Sequence, residues 1–412
     1  MTQEILVLGA GMAGTCAALE LRLRGHAVTL VDRRGPGQET SYGNAGIIQR
    51  EAVEPYAFPR DWKSLMRAAL GRGLDIRYHP RAVAAALPRL ARYWHASAPE
   101  SHKRITREYG SLIEHATSEH QRHIAAAGAD DLVRRDGFRF AYRTEAAMAR
   151  AVVRARSLQR DFGLTCDVLD GAGLARAEPG LHASMAGAVH WRQPWTVNDP
   201  GALVERYAAL FQRLGGRLLS GDAATLRQQG AAWRVDTAAG PVEAAQAVLA
   251  LGPWAAAGAR ALGYRFPMIH KRGYHRHFSG GAPLDLPLLD AERGYVLAPM
   301  SRGLRLTTGA EIARIDAAPT PIQLAGCETA AGELLGLGVP VEATPWIGSR
   351  PCMADMKPVI GAAPRHRGLW FDFGHGHQGF TLGPASARLL ADQMEGRTPY
   401  VDPAPFLPDR FL

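Results

Sequence analysis

Three glycines and one acid near the N-terminus have the spacing of a dinucleotide-binding turn. Gly9, Gly11 and Gly14 follow a short apolar run at 4–8 and open a segment of helical spacing, and Asp32 ends a second apolar run. This order of strand, turn, helix, strand and acid presents helix N–H groups to a pyrophosphate and a carboxylate to a ribose hydroxyl. The residues therefore predict a dinucleotide site, with NAD and FAD both open at this point.

A second group of reactive side chains lies between residues 269 and 278. Alternation along a predicted strand divides them between two faces, with Tyr274, Arg276 and Phe278 on one and His275 and His277 on the other. The imidazoles lack the helical spacing and the companion carboxylates of a metal site, so no metal is expected. The four cysteines are widely separated, which argues against zinc and iron–sulfur clusters as well.

Four ordered motifs resemble those of one flavoenzyme family. They are the glycine turn with its acid, the loop Glu39-Thr40-Ser41-Tyr42-Gly43-Asn44-Ala45-Gly46, a K-x-G-Y strand at 271–274, and a C-terminal block at 350–379 that contains R-P-x-x-x-D-x-x-P-x-I-G. Together they resemble the D-amino acid dehydrogenase branch of the superfamily of D-amino acid oxidase, glycine oxidase and sarcosine oxidase. The resemblance covers nearly the whole chain.

The resemblance implies non-covalently bound FAD. Its pyrophosphate would lie on the glycine turn and its ring against the loop at 39–46. The helix start after Gly374 would direct N–H groups at the flavin pyrimidine ring and stabilise negative charge there. The implied cofactor-binding residues are Gly9, Gly11, Met12, Ala13, Gly14, Asp32, Arg33, Thr40, Ser41, Asn44, Ala45, Gly46, Ala224, Ala250, Gly252, Gly376, His377, Gly379, Phe380 and Thr381.

The same resemblance implies a substrate site. Arg350 would pair with the substrate carboxylate, because a planar guanidinium holds a carboxylate through two parallel hydrogen bonds. Tyr274 would close the pocket, and His375 would lie beside the cofactor, which makes these three the predicted catalytic residues. The predicted substrate contacts are Tyr274, Arg276, His277 and Arg350. Two alternatives stay open, namely Arg350 capping backbone carbonyls behind the cofactor, and Arg272 or Arg276 holding the carboxylate instead.

The implied activity is FAD-dependent oxidative deamination of a D-amino acid or a related α-amino acid. A hydride would pass from Cα to flavin N5, and the imine would hydrolyse to a keto acid. The strand at 274–277 is polar and basic, and Met356 stands where relatives often have glycine, which favours a polar or secondary amine such as hydroxyproline, an acidic amino acid or an opine. The alternatives are a flavin oxidase or dehydrogenase of 2-hydroxy acids, and an FAD-binding subunit of a larger complex. Stereochemistry, oligomeric state and electron acceptor (quinone, electron-transfer protein or oxygen) stay open.

We expect an α/β fold with two domains. A Rossmann-type, GR2-like FAD-binding domain would comprise 1–60, 197–266 and 341–412, and a second α+β substrate domain on an antiparallel sheet would comprise 61–196 and 267–340. Pro80, Pro88 and Pro99 are expected to divide a helical insertion at 61–129 into separate helices. Asp199 before Pro200 predicts the N-cap of a further helix.

Charge and composition argue against several other classes. The formal net charge is +9, yet only four of the 48 basic residues are lysines and the arginines are dispersed, which argues against a nucleic-acid surface. The basic amphipathic stretch at 58–78 fits either a membrane surface or a helix packed on the domain. The first residues lack a positive stretch and a cleavage site, so we expect no signal sequence, and no apolar run reaches the length of a membrane span. We therefore expect a cytoplasmic protein, with peripheral contact at the inner face of the membrane as an open alternative.

Overall fold

The computed structural model describes residues 2–62, 65–66 and 73–411. Its strands are β1 Glu4–Leu8, β2 Ala27–Asp32, β3 Ile47–Ile48, β4 Ile76–Tyr78, β5 Val133–Arg134, β6 Phe138–Tyr142, β7 Cys166–Asp170, β8 Gly187–Trp191, β9 Trp195–Val197, β10 Arg217–Gln229, β11 Ala232–Thr237, β12 Gly240–Ala244, β13 Gln246–Leu249, β14 Met268–Gly280, β15 Leu288–Asp290, β16 Tyr295–Met300, β17 Gly303–Thr307, β18 Ala310–Ile312, β19 Gly338–Pro340, β20 Trp346–Met353, β21 Val359–Ala362 and β22 Leu369–Phe373. The helices are α1 Met12–Leu23, α2 Pro80–Ala96, α3 Pro99–Ile113, α4 Ala116–Ala127, α5 Glu145–Phe162, α6 Gly171–Ala177, α7 Pro200–Arg213, α8 Ala255–Ala261, α9 Ile322–Gly332 and α10 Gly379–Met394. Short 3₁₀ turns lie at Asp130–Leu132, Gly252–Trp254, Ala404–Phe406 and Pro408–Phe411.

An eight-stranded sheet carries the N-terminal glycine turn. Its strand order is β12-β11-β10-β2-β1-β13-β22-β21, and the neighbours from β10 to β22 are parallel. The apolar run of β1 is buried from Ile5 to Leu8, as expected where helices cover both faces of a parallel sheet. The turn from β1 into α1 thus lies at the carboxyl edge of the sheet, where open α/β sheets bind ligands. The expected Rossmann-type α/β arrangement is confirmed.

A larger, mostly antiparallel sheet is organised around β14. Its order is β4-β18-β14-β17-β16-β15-β6-β8-β7, and β19 and β20 also pair with β14. The register between β14 and β20 sets Lys271 opposite Arg350 and Tyr274 opposite Ile347. Although β20 falls within the stretch 341–412 expected in the first domain, it pairs with the second sheet. A small sheet of β3, β9 and β5 lies apart from both.

The helices at 80–127 show how proline is used in this chain. Pro80 and Pro99 stand at the first positions of α2 and α3, where a missing N–H is harmless. The expectation that Pro88 ends a helix is wrong, because α2 continues through it to Ala96. Buried residues on both sides of Pro88, Ala86 and Leu90, pack into one cluster with Ile269 of β14, so tertiary packing outweighs the local proline penalty.

The predicted N-cap of α7 is confirmed, since Asp199 Oδ1 accepts from Ala202 N at 3.0 Å.

The stretch at 58–78 is only partly described, because residues 63–64 and 67–72 lie outside the described residues. Within the part of the chain that the structure describes, no helix has the length and apolar character needed to cross a membrane.

Candidate functional site

The glycine turn between β1 and α1 leaves no room for side chains at two positions. Gly9 adopts a φ of 103°, and a Cβ there would lie 2.6 Å from the carbonyl oxygen of Ala250. A Cβ on Gly14 would lie 1.8 Å from the carbonyl oxygen of Gly9, so α1 begins directly against the strand end. A Cβ on Gly11 would meet only the Ser41 hydroxyl, at 3.4 Å. Gly9 and Gly14 close the turn, whereas Gly11 leaves its backbone open to a ligand.

Asp32 is held beside the turn by backbone donors. Its Oδ2 accepts from Ala10 N at 2.6 Å and its Oδ1 from Arg34 N at 2.8 Å. Ser41 Oγ accepts from Met12 N at 2.9 Å, which ties the loop at 39–46 to the start of α1. The carboxylate lies on a cavity wall next to the helix N-terminus, the position that a ribose hydroxyl requires.

One cavity of about 1100 Å³ runs from the glycine turn to the second sheet. This volume slightly exceeds the usual range for small-ligand pockets, about 300–1,000 Å³, and suits a dinucleotide together with a small substrate. Its lining includes these predicted cofactor residues: Gly9, Gly11, Met12, Ala13, Asp32, Arg33, Thr40, Ser41, Asn44, Ala45, Ala224, Ala250, Gly252, Gly376, His377, Gly379 and Phe380. Gly14, Gly46 and Thr381 lie behind the wall, where they pack the turn, the loop and the start of α10.

The loop at 39–46 is fixed by a residue that sequence reasoning did not single out. Arg305 of β17 donates through Nη1 to the carbonyl oxygens of Tyr42, at 2.9 Å, and Asn44. Asn44 Oδ1 in turn accepts from Gly46 N at 2.8 Å. The side chain of Trp346 packs against Gly43, where a Cβ would overlap the indole ring. The loop is therefore held by the second sheet as well as by α1.

Two cations face the far end of the cavity from adjacent strands. Arg350 donates to the carbonyl oxygens of Gly309 at 2.7 Å and Thr308 at 3.1 Å. Lys271 Nζ donates to Tyr93 Oη at 2.9 Å and lies 4.4 Å from the centre of that ring. Burial lowers the pKa of Arg350. Arg350 therefore caps backbone carbonyls, as one alternative anticipated, and it also lines the cavity, as contact with a substrate carboxylate requires.

The structure places Tyr274, Arg276 and His277 away from the cavity. Tyr274 is fully buried, its hydroxyl donates to Glu311 Oε2 at 3.0 Å, and it accepts from Thr320 N at 2.8 Å. These three residues do not line the cavity, so the expected substrate contacts need correction. The alternation along β14 holds, but α9 covers the tyrosine face, and the face with Lys271 and Gly273 looks into the cavity.

Arg276 and His277 have partners of their own. Arg276 Nη1 donates to Glu328 Oε1 at 2.9 Å. His277 Nδ1 lies 2.7 Å from Glu342 Oε1, and its Nε2 accepts from Arg305 Nε at 2.9 Å. Both side chains are thus engaged in the structure of the second sheet.

The turn before α10 brings two histidines to the cavity. His375 lines it and lies with Nε2 3.3 Å from Asp372 Oδ1. The ring of His377 lies 4.8 Å from that of Tyr56. Burial, with Arg350 and Lys271 nearby, lowers the pKa of His377 well below its usual range, so the ring stays neutral. The aromatic side chains Tyr56, Phe58 and Tyr93 complete this end of the cavity and were not predicted.

A hydrogen-bonded chain behind the cavity wall passes through Gln49, which lines the cavity, and ends at a buried acid. Thr381 Oγ1 donates to Gln378 Oε1 at 2.7 Å, Gln378 Nε2 to Gln49 Oε1 at 2.8 Å, and Gln49 Nε2 to Glu51 Oε1 at 2.7 Å. Glu51 is 5% exposed, and its Oε2 has no hydrogen-bond partner among the described residues. Burial raises the pKa of the Glu51 carboxyl to about 7, although Gln49 and Arg50 oppose the shift. Neither Gln49 nor Glu51 belongs to a motif that sequence reasoning uses.

Comparisons with known proteins agree with this geometry. The family described as FAD dependent oxidoreductases matches residues 4–393. The chain is 29% identical to a D-amino-acid oxidase of Bradyrhizobium diazoefficiens, over 100% of this chain and 99% of the relative. It is 30% identical to a D-amino acid dehydrogenase of Cereibacter sphaeroides, over 99% and 95%. Glycine oxidase from Geobacillus kaustophilus has a similar fold, with a TM-score of 0.73, 20% identity and 100% of each chain covered.

The close approach at Gly14 predicts a specific sensitivity. Gly14→Ala forces a methyl group against the carbonyl oxygen of Gly9, and we expect it to lower the free energy of unfolding by about 1–3 kcal/mol and the FAD content of the purified protein. Thermal unfolding and flavin absorbance per chain measure both. Gly332→Ala in α9 is the matched control, because a Cβ there meets no atom within 4 Å. Normal FAD content in Gly14→Ala would contradict the role assigned to the turn.

The buried carboxyl of Glu51 predicts a pH-dependent stability. Its folded pKa lies above the unfolded value near 4.5, so the native state binds the proton more tightly and stability is lost as pH rises between these values. We expect Glu51→Gln to remove this loss. Its free energy of unfolding, relative to that of the unsubstituted protein, is expected to rise by roughly 2 kcal/mol from pH 5 to pH 8. Denaturant unfolding at the two pH values measures it, with exposed Glu205→Gln as the control. An equal gain at both pH values would contradict the shift.

Proposed function

Since the chain belongs to the family of FAD dependent oxidoreductases, we propose that it oxidises the α-amine of a D-amino acid or a related α-amino acid. The observation that carries the proposal is the position of Arg350. It lines the aromatic end of the cavity, and no ion pair among the described residues includes it. The full-length relatives named for D-amino acid oxidation support the same reaction class.

The residues present fit FAD. The turn at Gly9 and Gly14 excludes side chains, Gly11 leaves backbone open to the cavity, and Asp32 lies where a ribose would be held. The cavity continues past the loop at 39–46 to the start of α10, whose N-terminal N–H groups suit the negative charge of a reduced ring. FAD, when bound, supplies the acceptor for two electrons and the hydrogen released from the substrate Cα.

The protein side chains orient the substrate. The carbonyl oxygens of Thr308 and Gly309 hold the guanidinium of Arg350 in one orientation, so a substrate carboxylate meets a fixed cation. The aromatic side chains of Tyr56, Phe58 and Tyr93 form the wall around the substrate at this end of the cavity. Neutral His377 adds no positive charge that would disfavour the amine. After oxidation, water hydrolyses the imine to a keto acid and ammonia, so alignment of Cα is the main task of the protein.

Anaerobic titration of the purified flavoprotein tests the proposal. We expect amino acids, with D-enantiomers preferred, to bleach the flavin absorbance, and 2-hydroxy acids to leave it unchanged. Bleaching by hydroxy acids alone would assign the protein to the oxidation of C–O bonds instead. No bleaching across a broad panel of amines would contradict an amine oxidising activity and favour a subunit whose chemistry lies elsewhere.

Replacing Arg350 tests its contact with the carboxylate. Arg350→Gln removes a charge-assisted hydrogen bond worth about 1.5–3 kcal/mol, so we expect kcat/KM for amino acids to fall by roughly tenfold to a hundredfold. Steady-state kinetics measure the fall in kcat/KM. Thermal unfolding measures the stability lost with the contacts to the carbonyl oxygens of Thr308 and Gly309, which separates that effect from the loss of substrate binding.

Tyr274→Phe is the matched comparison for Arg350→Gln, because Tyr274 lies on the opposite face of the sheet that β14 forms with β20. It loses the bonds to Glu311 and Thr320, and we expect about 1–2 kcal/mol less stability with little change in KM. A large rise of KM in Tyr274→Phe and none in Arg350→Gln would reverse the assignment.

We further propose that the basic amphipathic stretch at 58–78 contacts an anionic membrane surface. Trp62 is 68% exposed and Met66 48%, and Leu65 between them lines the cavity. Apolar side chains in a basic segment bind such surfaces. We expect co-sedimentation with anionic vesicles that weakens in a Trp62→Ser, Met66→Ser double variant. Val153→Ser, at a 69% exposed position of α5, is the control. Equal binding by all three proteins would reject this contact.

A further inference from the structure

Lys271 contributes a second cation to the substrate end of the cavity. It stands directly opposite Arg350 in the register of β14 and β20, so both side chains project from the same face. Lys271 is 8% exposed and lines the cavity. Its ammonium group turns toward α2, where it meets Tyr93, whereas Arg350 turns toward the carbonyls after β17.

No carboxylate among the described residues pairs with either cation. The acids that line the cavity are already engaged, since Asp32 and Asp222 accept backbone N–H groups and Glu39 pairs with Arg33. Asp75, beside Gly309, likewise has an interaction of its own. Like charges opposite one another on neighbouring strands destabilise a sheet, and a buried charge without a partner is unfavourable. Two such cations on one face therefore favour a ligand with more than one negative group.

A side cavity gives the second negative group a place of its own. It measures about 40 Å³ and is lined by Lys271, Tyr56, Tyr93, Tyr109 and His377 among others, but not by Arg350. A space of this size holds a group of one to three heavy atoms, because a water needs about 10–15 Å³ by the same measure. Glu54, the acid among the described lining residues, is paired with Arg154 and does not neutralise Lys271.

We propose that Lys271 and Tyr93 form a second anion-binding position and that the preferred substrate is an α-amino acid with a second carboxylate. This inference rests on the proposed function. Arg350 holds the α-carboxylate, and the second carboxylate enters the side cavity and accepts hydrogen bonds from Lys271 Nζ. Amino acids with a carboxylate in the side chain and amino acids with a carboxyalkyl group on the nitrogen both carry this second carboxylate. Lys271 is then a specificity-determining residue for the reaction.

Pairs of substrates that differ only in charge test the inference. D-Glutamate is compared with D-glutamine, and D-aspartate with D-asparagine. In each pair a carboxylate is replaced by an amide of nearly the same shape. We expect kcat/KM to favour the acid by about tenfold to a hundredfold, the range of one charge-assisted hydrogen bond. Lys271→Met is expected to abolish this preference and Lys271→Arg to retain most of it. Lys103→Met on the exposed face of α3 is the control for loss of a lysine.

A binding experiment gives a readout that does not depend on turnover. Glutarate and butyrate differ by one carboxylate, and neither carries an amine that the flavin can oxidise, so a change in flavin absorbance on adding either acid reports binding alone. We expect glutarate to bind at least tenfold more tightly than butyrate, with the difference lost in Lys271→Met.

The outcomes separate this inference from the proposed function. Suppose that amino acids bleach the flavin but kcat/KM is equal for the acidic substrates and their amides, or that Lys271→Met lowers kcat/KM equally for acids and amides. The second anion position is then wrong, and the oxidation of amino acids stands. If no amino acid bleaches the flavin but glutarate binds through Lys271, the anion position stands and the reaction is wrong. Equal binding of glutarate and butyrate overturns the anion position whichever reaction occurs.

Discussion

The antiparallel register between β14 and β20 is the constraint on which the candidate site depends. It sets Lys271 opposite Arg350 and turns both toward the cavity. The same strand pair reaches the loop at 39–46, because the carbonyl oxygen of Ser349 accepts from Thr40 Oγ1 at 3.2 Å and the side chain of Trp346 packs against Gly43. A slip of one residue would turn every side chain of one strand to the other face, which would remove one of the two cations from the cavity. Substrate end and cofactor loop are therefore fixed by one set of backbone hydrogen bonds.

Arg305 extends this constraint to the cofactor loop. It bridges two carbonyl oxygens of the loop and the ring of His277, which in turn contacts Glu342. Burial lowers the pKa of Arg305 to about 10, opposed by Tyr42 and more distant acids, and burial with Arg305 lowers that of His277. The histidine is thus a neutral acceptor within a structural network. The sequence alone relates the polar and basic character of the strand at 274–277 to a polar substrate. In the structure Arg276 pairs with Glu328, and His277 contacts the Arg305 that holds the loop, so these side chains serve structural contacts.

The sequence reveals those parts of the site whose geometry is local. The glycine turn, Asp32 and the cap at Asp199 are predictable because each depends on residues within one β–α unit. The face of β14 is not, because alternation separates Tyr274 from Lys271 without saying which side α9 will cover. Pro88 within α2 and the buried Glu51 escape prediction for a similar reason. The packing of α2 on β14 and the burial of Glu51 are decided by segments far away in sequence.

Met356 links a departure in sequence to the shape of the substrate end. It adopts a φ of 64°, in a position where the resemblance to the family implies glycine. A left-handed conformation costs a residue with a side chain roughly 1–2 kcal/mol. Full burial of a methionine side chain contributes about 1.5–3 kcal/mol, and the partly buried Met356 gains a fraction of that. Here the side chain packs with Leu90 and Tyr93 of α2, and it lines the side cavity that holds Lys271. Glycine would relieve the backbone but remove this wall and the support of Tyr93. Met356 therefore couples a left-handed backbone position to the wall of the side cavity beside Lys271, because its side chain packs against the cluster that α2 forms with β14.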